Sequence, residues 1–325
     1  MKETIYLKDY KPSPFLIDSV VLNFDLQATK TIVHSTMQIK VNPASNEKNL
    51  PLVLDGEKLE LLHVVLNGKA LDNIEKLPHG ISISGVKDND TLEIITQCNP
   101  EENKALEGLY LTNNIFSTQC EAEGFRRITY YLDRPDVMAS FTVTLTADKS
   151  MCPVLLSNGN LTDSGDLENG KHFATYVDPF KKPCYLFALV AGKLDRLTDS
   201  FKTVSKKVVE LNIYVELGKK DKTYHAMNAV KKSMKWDEEN YGREYDLEVF
   251  NIVAVSDFVA GAMENKGLNI FNSHYVLADE DTATDTNFMG IQSVIAHEYF
   301  HNWTGNRITC RDWFQLTLKE GLTVF

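Results

Sequence analysis

No apolar run in this sequence approaches the length of a membrane span, and glycine and proline are sparse, at 17 and 10 of 325 residues. Without roughly 20 consecutive apolar residues a helix does not cross a bilayer. Without a Gly-, Pro- or Ser-rich tract there is no low-complexity linker, and no internal repeat is present either. Positive charge is also short. Lys and Arg number 34 against 45 Asp and Glu, a formal net charge of −11, which argues against nucleic-acid binding built on phosphate contacts. The five cysteines (Cys98, Cys120, Cys152, Cys184, Cys310) are scattered, odd in number and without C-x-x-C spacing. Met1 to Tyr10 is too polar for a secretory signal. Reduced thiols, a cytoplasmic location and no membrane partner are expected.

What is present is the composition of a soluble globular protein, 43% hydrophobic and 24% charged, long enough for about two domains. The first half reads as β. Leu22, Phe24 and Leu26, and again Phe141, Val143 and Leu145, alternate with polar residues, a period that buries one face of a strand. Asn67-Gly68 and Asn158-Gly159 follow apolar runs as tight-turn signals. Many short strands joined by turns predict an antiparallel β-sandwich or saddle over residues 1–193. From 194 the period becomes helical. Met227, Val230, Met234 and Tyr241 predict a helix stopped by Gly242, and Val249 to Val255 a buried strand. A second helix is predicted from about Thr286 to Thr304, capped by Asp285 or Thr286. A third begins near Thr317, with Leu318 and Leu322 packing against Ile291, Val294 and Ile295 of the second.

The second helix carries His297-Glu298-Tyr299-Phe300-His301. Residues four apart share a helix face, about 5–6 Å apart at Cβ, so two imidazoles can converge on one metal. Zinc takes neutral imidazole and carboxylate ligands, and Glu298 stands where a carboxylate can reach a water beside the metal. A catalytic zinc needs a third protein ligand, for which Glu320 is the leading candidate. Two plainer readings stand beside these. Such a pentapeptide also arises on any amphipathic helix, and Glu320 stands three residues after Thr317, the spacing of a capping box. Upstream, Gly261-Ala262-Met263-Glu264-Asn265 follows the predicted strand. Gly261 and Ala262 are small enough for a peptide to approach as an added edge strand, with the Glu264 carboxylate near its end.

Taken together, Gly261 to Asn265, His297 to His301 and Glu320 resemble the zinc aminopeptidase N family of gluzincin metallopeptidases. Gln119 to Arg126, Tyr131 to Asp136 and His301 to Asn306 are similar to its bacterial cytoplasmic branch. The resemblance covers the whole chain. It implies a multidomain β then α/β architecture, with a β-rich amino-terminal domain (1–193) that contributes to amine recognition. The first part of a thermolysin-like α/β zinc-peptidase domain (194–325), truncated here, would follow. It further implies His297, His301 and Glu320 as ligands of one Zn2+ per chain, Glu298 as general base, and Glu264 and Glu121 as anchors of the substrate's free α-ammonium. Gln119 would line the first side-chain pocket. The implied activity is hydrolysis of the amino-terminal bond of peptides with a free α-amine, in peptide catabolism.

This chain ends five residues after Glu320. Family members continue and supply an oxyanion-stabilising tyrosine that is not in this sequence, so the remaining carboxyl-terminal part of a longer enzyme is expected. Ala260 departs from the larger residue of close relatives. The rival readings are a thermolysin-like endopeptidase, a lipid epoxide hydrolase as also occurs in the family, and an inactive binding or scaffold fragment.

Overall fold

The computed structural model describes residues 4–47 and 50–325. The alternating segments of the first half form an eight-stranded sheet. Across it the order is Asn160–Asp166, Lys171–Pro183, Met138–Asp148, Phe15–Asp25, Thr31–Val41, Thr91–Cys98, Glu60–Leu66 and Lys69–Ala70. Leu22, Phe24 and Leu26, and Phe141, Val143 and Leu145, all point into one core, as the period-two pattern requires. The sheet is not wholly antiparallel. Phe15–Asp25 and Met138–Asp148 run parallel, from Ser19 opposite Ser140 to Asp25 opposite Thr146, a pairing between segments too far apart in sequence for local pattern to orient.

A three-stranded and a four-stranded sheet pack on the same core. The four-stranded one comprises Val154–Ser157, Leu189–Gly192, Ile115–Gln119 and Gly108–Thr112. Asn67 and Gly68 both have positive φ, 52° and 76°, and close the hairpin before Lys69–Ala70. Asn158 is more than a turn residue. It is buried, and its amide donates to the Leu186 and Lys266 carbonyls.

A five-stranded mixed sheet follows, in the order Leu194–Lys202, Val208–Glu216, Val249–Val255, Leu268–Asn272 and Ala262–Met263. Its central strands are mostly apolar because both faces are covered, with Asn212, Asn251 and Asn269 buried among the apolar side chains. Helices α1 (Tyr224–Tyr241) and α2 (Asp285–Phe300) cover one face. Tyr185, Leu186, Ala188 and Val190, with Ile115 and Leu156, cover the other. Ala262–Met263 lies at the sheet edge, paired on one side only, with Leu268–Asn272.

Helix α1 ends at Gly242, φ 62°, as the sequence predicts, although Tyr241 is exposed. Helix α2 is shorter than its period implies. Its cap is Thr284, in a capping box with Asn287, rather than Asp285 or Thr286, and it ends at Phe300. Helix α3 (Leu316–Val324) has no capping box, and Leu318 and Leu322 are exposed rather than packed on α2. Its buried residue is Lys319. All five cysteines are free and buried. Among the described residues, no helix is long and apolar enough to cross a membrane.

Candidate metal centre

Ile291, Ile295 and Tyr299 seat α2 against α1 and the sheet, which leaves the face carrying His297 and His301 toward α3. The two imidazoles meet edge to face, with Nε2 atoms 3.1 Å apart. Oε2 of Glu320 lies 3.3 Å from the first Nε2 and 3.5 Å from the second. Donors held tetrahedrally at the usual zinc distances of about 2.0–2.1 Å lie about 3.3 Å apart, so this donor set fits one zinc ion. The tautomer fits as well. His301 Nδ1 lies 2.7 Å from the Thr304 carbonyl, which can only accept, so Nδ1 bears hydrogen and Nε2 is the nitrogen left to face a metal, binding it in place of a proton.

Glu298 is buried beside this set, and its Oε2 has no hydrogen-bond partner. Burial pushes its carboxyl well above the ordinary range, and Glu264 adds to the rise. Carboxylate oxygens of Glu298 and Glu264 and a nitrogen of His301 all lie within 4.8 Å of one another. An unpartnered buried carboxyl next to a three-donor cluster is placed to exchange a proton with whatever occupies the gap.

The amine side is assembled from distant segments. Glu264 follows the edge strand, and Glu121 follows the strand Ile115–Gln119 of the β part. Both approach the ammonium of Lys319, at 2.7 and 2.9 Å, and Lys319 also donates to Glu320. Burial pulls the Lys319 ammonium down, but Glu264 and Glu121 outweigh it and hold it well above its usual value. Burial pushes the Glu121 carboxyl up to about 7, with Glu264 adding to the rise and Lys319 opposing it. Burial also opposes ionisation of Glu264 and Glu320. The charge of His301 with Lys319 prevails at Glu264, and hydrogen bonds from His297, His301 and Lys319 prevail at Glu320, so both are lowered. Burial pulls the His301 imidazole down, yet Glu264 and Glu320 raise it to about 9. Three carboxyl groups around one lysine make a pocket that favours positive charge.

The structure therefore brings together His297, His301, Glu320, Glu298, Glu264 and Glu121. Gln119 is buried at the end of its strand, with its side-chain oxygen unpartnered. Gly261 precedes the edge strand, and a Cβ there would meet the Tyr275 ring at 3.2 Å. Met263 is buried in the core shared with the β part. Sequence reasoning missed Lys319, although the carboxylates assigned to one site left a charge imbalance that called for a cation. It also missed Asn306, whose amide donates to the Glu264 carbonyl at 2.9 Å.

Residues 9–186 match the peptidase M1 N-terminal domain, and residues 225–325 match the peptidase family M1 domain. Aminopeptidase N of Escherichia coli K12 is 54% identical over 320 residues, 98% of this chain and 36% of that protein. Aminopeptidase N of Caulobacter vibrioides is 52% identical over 328 residues, 99% of this chain and 37% of that protein. The crystal structure of Legionella pneumophila aminopeptidase A in complex with aspartic acid superposes with a TM-score of 0.93 at 36% identity. That match covers 98% of this chain and 38% of the other. The chain thus spans little more than a third of the length of these relatives.

Proposed function

This chain belongs to peptidase family M1, and from that premise we propose that it carries the zinc and amine-binding site of a cytoplasmic aminopeptidase. The observation that carries the reading is the three-donor cluster His297, His301 and Glu320, spaced for zinc, with carboxylates from two separate sheets converging beside it. His297, His301 and Glu320 would hold one zinc ion, which when bound supplies Lewis-acid polarisation of the scissile carbonyl and acidifies water. Glu298 takes the proton of the attacking water on its unpartnered oxygen and returns it to the leaving amine, a role suited to a carboxyl with raised proton affinity. Glu264 and Glu121 bind the substrate's α-ammonium and set its register, which disfavours blocked ends. Gly261, Ala262 and Met263 present an unpaired strand edge to the peptide backbone, and Gln119 lines the pocket for the first side chain.

The exposed side chains of Phe314, Leu318, Leu322 and Val324 are the apolar surface that receives the remaining carboxyl-terminal part of such an enzyme. A thermolysin-like endopeptidase is disfavoured, because buried carboxylates at the end of the edge strand oppose a chain running through.

The test pairs bound zinc, measured after dialysis, with hydrolysis of an alanyl chromogenic amide and of its N-acetylated form. One zinc per chain and cleavage of the free form alone is the expected result. Cleavage of both forms identifies an endopeptidase. Zinc without cleavage of either refutes self-sufficient activity of this chain, and absence of zinc leaves a binding or scaffold module.

A further inference from the structure

Lys266, two residues beyond Glu264, is a buried lysine that the chemistry above does not use. Its side chain is 3% exposed. An ammonium taken out of water is tolerated only when its hydrogens are well placed. Here Lys266 donates to Asp246 Oδ1 and to Asn302 Oδ1, and it lies over the rings of Phe180 and Tyr245 at 5.4 and 5.6 Å. The other Asp246 oxygen accepts from Arg307 at 2.6 Å, and the Arg307 guanidinium stacks on Phe180 at 4.0 Å.

Asn302 and Arg307 both belong to the chain that leaves α2 at His301. There the backbone opens into a wide turn, in which Asn306, Arg307 and Ile308 donate in succession to the carbonyls of His301, Asn302 and Trp303. Five-residue spacing of this kind is uncommon and recurs at functional sites. The same turn delivers Asn306 to the Glu264 carbonyl, while Asn158 holds the Lys266 carbonyl from the β part. The segment bearing Glu264 and the turn bearing His301 are therefore joined at two points by side-chain hydrogen bonds, one of them donated by an ammonium.

We propose that Lys266 is a positioning residue: through Asn302 it fixes the Glu264 carboxylate relative to the histidine pair, so that metal affinity and amine affinity rise and fall together. This rests on the zinc and ammonium roles proposed above. The 325-residue chain carries the test, with zinc affinity read by chelator competition and ligand affinity read by calorimetry with alanine amide and N-acetylalanine amide. Lys266→Met is expected to weaken zinc and alanine amide each by about tenfold, the lower end for outer-shell partners of a metal ligand. Asn302→Leu should do the same, and the double variant should lose no more than either alone. Asn302→Asp keeps the acceptor and should keep both affinities, and it carries the test should Lys266→Met fail to fold.

Lys182→Met removes a different buried lysine, paired with Asp178. It should lower thermal stability and leave both affinities unchanged. Lys266→Met or Asn302→Leu within twofold of the parent for both ligands, additive losses in the double variant, or equal losses in Asn302→Asp and Asn302→Leu would each overturn the clasp. A parent chain that takes no zinc, or binds both amides alike, refutes the underlying assignment and the clasp with it. A parent that passes, with variants that do not respond, refutes the clasp alone.

Discussion

Replacing Lys319 with methionine keeps most of the buried stem and removes the ammonium that, alone among the described residues, touches Glu264, Glu121 and Glu320. Glu264 is then a buried carboxylate, 4% exposed at its side chain, facing Glu121 without a cation between them. Breaking a buried pair from one side typically costs about 3–5 kcal/mol, because the surviving charge stays desolvated. Glu121 is less enclosed, at 19%, so the lower half of that range applies. With an unfolding entropy of about 2.1 cal/mol/K per residue, a loss of about 3 kcal/mol moves the melting midpoint of a chain this long by roughly 4–5 °C. The assay is calorimetric melting of the parent, Lys319→Met, Glu121→Gln and the double variant, all in chelator so that metal binding does not contribute. Because Glu121→Gln removes one of the carboxylates left facing each other, the double variant should recover about 1–3 kcal/mol relative to additivity, the range for groups in one ionic network. A single-variant loss below about 1 kcal/mol, or strict additivity, refutes the idea that this lysine neutralises the carboxylate cluster.

Glu298→Gln is expected to retain zinc while turnover falls by about 10²–10⁴-fold, the usual size of a proton-transfer contribution; loss of the metal in this variant would mean that Glu298 acts as a ligand. Gly305 has φ 144°, and a Cβ there would lie 2.9 Å from His301 Nδ1. Gly305→Ala should therefore disturb the Thr304 hydrogen bond and weaken zinc about tenfold, and unaltered zinc affinity by chelator competition would count against that bond's role. Burial pushes the Asp237 carboxyl from 3.8 up to about 6, with Trp303 and Arg243 partly opposing and Glu238 reinforcing. Folding thus takes up a proton between these values, and the penalty is absent below about pH 4 and complete above about pH 6. At about 1.4 kcal/mol per pH unit, the rise is worth about 3 kcal/mol. Asp237→Asn should stabilise the chain at pH 7.5 by up to that amount and give no gain at pH 4; melting curves showing a less stable variant at pH 7.5 would sink the assignment.

The donor pair His297 and His301 was legible because helix geometry turns a spacing of four into proximity without help from the rest of the chain. The period-two strands of the β part were legible for the same reason. The end of α2 was not. Its apolar period runs on to Thr304, but a carbonyl taken by His301 Nδ1 and the backbone freedom of Gly305 open the helix into a wider turn at Phe300. In α3 the apolar pattern misled outright. Leu318 and Leu322 face outward, because the inward position is claimed by Lys319 through carboxylates 55 and 198 residues away in sequence. A residue held by such distant charges leaves no periodic trace. The parallel pairing of Phe15–Asp25 with Met138–Asp148 was hidden likewise, since alternation marks a strand's faces and says nothing of its direction.

Under the proposed reading, the edge strand Ala262–Met263, closed by Glu264 and lying beside the histidine pair, would act as a ruler. Carboxylate oxygens of Glu264 and Glu298 and a His301 nitrogen lie within 4.8 Å of one another, while one extended residue spans about 3.3–3.6 Å. With its ammonium held at Glu264, a peptide can bring only its first carbonyl to the proton-transferring carboxyl. Length along the chain, measured from the charge at the end, is then what the site counts. Each cut exposes a new end that must be carried back to the same zero mark, so degradation under this reading advances one residue per binding event.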